Sequence, residues 1–103
     1  MNDAIESSAG ELDYNKMIVL YFLSKTDRKV NQTQIKEITK MAISTLRQKL
    51  DLLQKEGLIF IVRKGIDKQI YLTGKGREEI AKWVETSAGN VLTTEFDKVL
   101  GFR

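Results

Sequence analysis

Apolar and polar positions follow two different periods along this chain, and the points where the period changes divide it into elements. Across residues 12–25 the apolar Met17, Ile18, Leu20, Tyr21 and Leu23 cover most of a helical circumference, so this helix must lie centrally or meet a partner. The polar run "TDRKV" ends it. Asn31 followed three positions later by Gln34 has the spacing of a capping box, which predicts a short second helix closing near Lys40 with Ile35 and Ile38 inward. From 43 to 56 the residues Ile43, Leu46, Leu50 and Leu53 recur at helical spacing, and Ser44, Arg47, Gln48, Asp51 and Lys55 fall on the other face. Gly57 stands where a left-handed cap residue is wanted, just after Lys55 in the last turn. The period then becomes that of a strand. "LIFIVR" (58–63) and "QIYLT" (69–73) are rich in β-branched and aromatic residues, and "KGIDK" between them supplies Gly65 for a positive φ, which predicts a hairpin. Thr73 is placed to cap a fourth helix with Ile80, Trp83 and Val84 inward; "SAGN" (87–90) interrupts it, and Val91, Leu92, Phe96, Val99 and Leu100 outline a last amphipathic helix.

Composition narrows what such a chain can do. At 103 residues and 42% hydrophobic it fits one small domain, of α+β class but mainly α. With no cysteine and no histidine, disulfides, Cys/His zinc sites, thiol sensing and histidine general bases are excluded by inventory. No metal and no cofactor are expected. The longest apolar run, 17–23, is too short to span a bilayer, and the N-terminus lacks the pattern of a signal peptide, so a soluble cytoplasmic protein without membrane contact is expected. The net charge of +3 is unevenly spread: residues 1–13 hold −4, residues 14–82 hold +8 and residues 83–103 hold −1. A basic middle suits a polyanion, although a lysine-rich solvated surface is the plainer reading of charge alone.

The order of these elements, three helices, a hairpin with a basic glycine tip and a further helix, resembles the winged-helix branch of the helix-turn-helix DNA-binding proteins. "LRQKLDLLQKEGLI" (46–59) is similar to the end of a recognition helix and its entry into the first wing strand. "IYLTGKGREEI" (70–80) is similar to the return strand and the "LT-x-KG" helix start of MarR-like and related small regulators, and small archaeal and archaeal-virus winged-helix proteins are similar too. The resemblance covers residues 12–86 and implies a winged helix-turn-helix: a three-helix core, a two-stranded wing and additional C-terminal helices. The expected division is an acidic disordered tail at 1–10, a DNA-binding domain at 11–86 and a C-terminal amphipathic helix at 87–103 that serves dimerisation.

On that resemblance the helix at 43–56 reads double-stranded DNA in the major groove, where each base pair presents a distinct pattern of donors and acceptors. Ser44, Thr45, Arg47 and Gln48 are its candidate contacts; arginine to guanine and glutamine to adenine are bidentate pairings, and Thr45 on the flank suits a phosphate or a thymine methyl. Arg63, Lys64 and Lys68 of the wing are candidates for the backbone or minor groove, and Gln32, Thr33 and Lys36 of the second helix for phosphates. Asp51 would repel phosphate, so it faces away, accepts from a cytosine amino group, or the helix enters by its N-terminal turns only; the last is favoured. Met17, Tyr21, Val91, Phe96, Val99 and Leu100 are candidates for a homodimer interface, the alternative being that the last helix folds back over the first in its own chain.

Other readings compete with these. The leucine stripe is core, and Trp83 is packing. "GKG" at 74–76 fails as a phosphate loop, because that spacing asks for glycine where Gln69 stands and Ser or Thr where Gly76 stands. Ser44, Lys49 and Glu56 can be assembled into a nominal catalytic set, but nothing marks a cleft around them, and no enzyme is expected. The expectation is therefore a sequence-specific, nucleoid-associated transcriptional regulator. A non-specific architectural DNA binder and a winged-helix protein-interaction module remain as alternatives.

Overall fold

The computed structural model describes residues 13–26 and 29–102, so the acidic tail expected at 1–10 lies outside the described residues. Asp13 is the first described residue. Its carboxylate accepts a hydrogen bond from the Lys16 amide (3.1 Å) and caps α1 (Tyr14–Lys25), in which seven consecutive residues, Met17 to Leu23, are buried. Seven in a row leave no solvent face along that stretch, so α1 lies at the centre of the fold. Around it stand β1 (Val30–Asn31), α2 (Gln32–Thr39), α3 (Ile43–Lys55), β2 (Ile59–Lys64), β3 (Asp67–Leu72), α4 (Gly74–Val84) and α5 (Ser87–Leu100).

The capping box forms as its spacing predicts. Asn31 Oδ1 accepts from the Gln34 amide (2.8 Å) and Gln34 Oε1 accepts from the Asn31 amide (2.9 Å). Lys40, at φ 59, closes α2 in a left-handed turn, and α3 starts three residues later with Leu46, Leu50 and Leu53 buried. Gly57 takes φ 76 after α3 and sends the chain into the wing. The sheet has three antiparallel strands in the order β1-β3-β2, with Ile59 opposite Leu72, Arg63 opposite Lys68 and Lys64 opposite Asp67. The third strand, β1, was not legible in the sequence. It pairs Val30 with Ile70 and Asn31 with Gln69, so a residue read as a helix cap is also the end of a strand.

Two sequence expectations are corrected. The break between the last two helices falls at Glu85–Thr86 and not across 87–90, because Thr86 caps α5 through the Gly89 amide (3.0 Å) and makes "SAGN" its first turn. Four of the residues expected at a dimer interface, Met17, Tyr21, Phe96 and Leu100, are buried within their own chain. The reason is that α5 folds back over α1. Phe96 is fully enclosed by Tyr14 (edge-on, 5.1 Å between centroids), Tyr21 (5.7 Å) and Trp83 (5.8 Å), and the Tyr21 hydroxyl donates to Asp97 Oδ1 at 2.7 Å. Burial, the hydrogen bond and the Asp97 charge together push the Tyr21 phenol up to about 12. Of the expected set only Val91 and Val99 remain exposed.

Gly76 fixes where the wing meets the rest of the fold. It lies in the first turn of α4 directly over the Leu58 carbonyl, which is held in place by accepting from the Thr73 amide (3.0 Å). A Cβ there would collide with that carbonyl oxygen and stand 2.9 Å from Leu72 Cδ1. Gly76→Ala is therefore expected to destabilise the protein by about 1–3 kcal/mol, although alanine is the better helix former by about 1 kcal/mol. Urea unfolding with an unchanged m-value checks this; a midpoint at or above wild type contradicts it.

Candidate nucleic-acid interface

The candidate site is built on α3, because its burial pattern decides which side chains point outward. With Leu46, Leu50 and Leu53 inward, Ser44, Arg47 and Gln48 are exposed on the opposite surface and Thr45 is half-buried at the flank. One flank of α3 is tied to α1. Lys49 Nζ donates to Asp13 Oδ2 at 2.6 Å, and Lys16 Nζ lies 2.7 Å from Glu56 Oε1. Burial works against the Asp13 charge, but the Lys49 hydrogen bond, the Lys16 amide and the charges of both lysines outweigh it and hold its carboxyl below the usual range.

The other flank of α3 faces the wing across an open cleft of about 440 Å³ lined by Gln32, Arg47, Leu50, Asp51, Gln54, Ile61, Arg63 and Lys68. This cleft brings together members of three candidate groups: Gln32 from α2, Arg47 from α3, and Arg63 with Lys68 from the wing. β1 makes the convergence possible, since the pairing of Asn31 with Gln69 draws the start of α2 against the base of the wing. Lys64 stands on the other face of the wing, one position out of phase with Arg63. Thr33 and Lys36 are exposed on α2 outside the cleft, as are Ser44 and Gln48 on α3.

Asp51 does not face away. It lines the cleft beside Arg47, exposed and 3.2 Å from Lys55 one turn further on. Gln54 was missed, yet Arg47, Asp51 and Gln54 share one helical stripe at i, i+4 and i+7, a spacing legible in the sequence. α3 also differs from the other described α-helices at its start. Asp13, Asn31, Thr73 and Thr86 each cap a helix with a side chain, whereas Ala42 before α3 offers none, leaving the first-turn amides open to another acceptor. Among the described residues no cluster of potential metal ligands occurs, and no helix is long and apolar enough to cross a membrane.

Solved structures share this fold. Over 88% of its length the chain superposes on Bordetella bronchiseptica BpsR, a protein whose DNA binding is regulated by 6-hydroxynicotinic acid, with a TM-score of 0.72 and 16% identity, spanning 65% of that chain. A mutant of MepR from a multidrug-resistant S. aureus clinical isolate matches over 84% with a TM-score of 0.68 and 17% identity, spanning 69% of that chain. A MarR-family transcriptional regulator from a Rhodococcus species matches over 88% with a TM-score of 0.61 and 18% identity, spanning 74% of that chain. No protein-family model and no curated protein matches the chain. The fold is thus a MarR-like winged helix, mainly helical with a three-stranded antiparallel sheet.

The Asp13–Lys49 pair has a pH signature. Because the folded carboxyl titrates below its unfolded value, its contribution to stability is present above about pH 4 and is lost as pH falls through the folded pKa. Asp13→Asn keeps a capping side chain but removes the charge, so the variant is expected to be less stable at pH 7 and to lose less stability on acidification. Denaturation midpoints between pH 7 and pH 3 test this; parallel curves for the two proteins contradict it.

Proposed function

We propose that this chain is a sequence-specific, double-stranded-DNA-binding transcriptional regulator that works as a homodimer in the cytoplasm, associated with the nucleoid. The observation that carries this reading is the cleft between α3 and the wing, where Arg47, Arg63 and Lys68 converge with Gln32 on a surface open to a large polyanion. Likeness to a MarR-family transcriptional regulator and to a protein with regulated DNA binding supports the same reading.

In this reading Ser44, Arg47 and Gln48 meet base edges in the major groove and Thr45 meets a phosphate or a thymine methyl. Gln32, Thr33 and Lys36 approach phosphates from α2, and Arg63, Lys64 and Lys68 straddle the backbone beside the minor groove. The exposed carboxylate of Asp51 in the cleft favours entry by the first turns of α3, and the uncapped amides of those turns suit a phosphate oxygen. Such an interface divides its labour: phosphate contacts supply affinity and α3 supplies sequence preference. The protein carries out no catalysis.

With Met17, Tyr21, Phe96 and Leu100 enclosed, the homodimer is assigned to the apolar residues still exposed on the terminal helices, Val91 and Val99 of α5 with Tyr14 of α1. Two copies so joined would present two recognition helices to half-sites about one helical turn apart.

Selection from a randomised duplex pool of about 30 base pairs at two salt concentrations tests the reading. A two-fold symmetric sequence is expected; salt-sensitive retention without enrichment overturns sequence specificity. On the selected duplex Arg47→Ala is expected to cost about 1–3 kcal/mol, with little effect on unrelated sequences, whereas Lys64→Ala lowers the slope of log affinity against log salt by about one unit on every duplex. Equal losses on all sequences for Arg47→Ala remove it from base reading. The double substitution Val91→Asp and Val99→Asp is expected to sediment as a monomer where wild type is a dimer. A wild-type monomer mass throughout the micromolar range contradicts the assembly.

A further inference from the structure

The wing ends in an apolar residue that nothing among the described residues covers. Gly65 and Ile66 form a two-residue loop between Lys64 and Asp67, which face each other as the last pair of the ladder. Gly65 takes φ 63, the positive value a tight hairpin needs at its first central position. Ile66 is exposed to 101% of its reference area, beyond Val91 at 70% and Phe60 at 46%. Isolated apolar residues on a surface are ordinary, but tips of tight turns are normally glycine, asparagine, aspartate or serine. Among the described residues nothing lies within 4 Å of the position a Gly65 Cβ would take, so the apex consists of a bare glycine and one isoleucine. Behind it, Arg63 and Lys68 face the cleft, and Lys64 faces the other side.

We propose that Ile66 is an apolar minor-groove probe that seats against sugars and base edges at a deformable, A·T-containing step and bends the duplex there. The inference rests on the DNA-binding reading and adds to it a contact that carries no charge. Strand rise places the apex about 7 Å beyond the Arg63–Lys68 pair, close to the minor-groove depth of about 7.5 Å. With those cations at the phosphates, the isoleucine reaches the groove floor. The paired strands are about 4.8 Å apart before side chains are added, against a groove about 6 Å wide, so entry has to widen the groove. Pyrimidine–purine steps such as TA open most readily, and inserted aliphatic side chains kink DNA at such steps. A·T pairs fit for a second reason: they lack the guanine amino group, a donor that an aliphatic side chain would cover without satisfying.

The test uses the duplex selected by the wild-type protein, labelled at both ends for energy transfer, with wild type, Ile66→Ser and Ile66→Leu. Wild type and Ile66→Leu are expected to shorten the end-to-end distance. Ile66→Ser is expected to leave the duplex straight and to bind about tenfold more weakly with the salt slope unchanged, because no charge is removed. Replacing the step beneath the wing by a G·C-only step should cost wild type a similar factor and Ile66→Ser little. Wild-type affinity and bending in Ile66→Ser overturn the inference while leaving the DNA-binding reading standing. Failure of wild type to retain any duplex at low salt overturns both. Matching urea midpoints for the three proteins establish that the comparison is between folded molecules.

Discussion

The burial of seven consecutive residues of α1 is the constraint on which the remainder of the structure depends. A helix with one apolar stripe can sit on the surface, but Met17–Leu23 offers no polar side and has to be surrounded. α2, α3, α4, α5 and β3 supply that enclosure. α5 is the least obvious contributor, since its Phe96 and Leu100 complete the cover that a three-helix core would leave open. Polar links at the edge of the buried run then fix orientation: Asp13 and Lys16 reach α3, and the Tyr21 hydroxyl reaches Asp97 on α5.

The consequence for the interface is that α3 is held on two sides by different physics. Its leucines bury against the core, a nondirectional force that sets depth, while the Lys49–Asp13 and Lys16–Glu56 pairs along one flank set rotation about the axis. Partly exposed ion pairs contribute little stability, so their significance here is positional. The basic charge of the middle segment thereby divides. Lys16, Lys49 and Lys55 have carboxylate partners, whereas Arg47, Arg63 and Lys68 take part in none of the ion pairs among the described residues and point into the open cleft.

Most of this was legible where a local rule and the tertiary fold ask for the same thing. Asn31 and Gln34 cap α2, the leucine stripe orients α3, and Gly57 and Gly65 turn the chain, all through interactions that span a few residues. The failures share one cause, which is contact between residues distant in sequence. Strand β1 is two residues long, too short for alternation to register, and exists only because β3 offers an edge. Whether Phe96 and Leu100 covered their own α1 or another copy's was undecidable from an apolar pattern that serves both. For the candidate site, the period of α3 revealed which side chains are outward, but the meeting of Gln32 with Lys68 and Arg47 depends on β1 and was not readable. Asp51 belongs in the cleft because it follows Arg47 by one helical turn, a spacing that removes the alternative in which it faces away and leaves the favoured one, entry by the N-terminal turns, open.

Identity of 16–18% with structures that superpose this well has a physical explanation that bears on function. The fold requires an apolar run in α1, a stripe in α3, glycine at a few tight places and matched strand ends, and many residue choices satisfy each. None of these requirements touches Ser44, Arg47, Gln48 or Ile66, whose side chains are exposed. Packing therefore leaves those positions free to change without loss of the fold. On the DNA-binding reading, a change at Arg47 alters which base is preferred, and a change at Ile66 alters how the duplex is deformed. Neither disturbs the leucines and lysines that hold α3 in place. On that reading specificity resides in the positions about which likeness of fold carries no information, and it has to be measured on this chain.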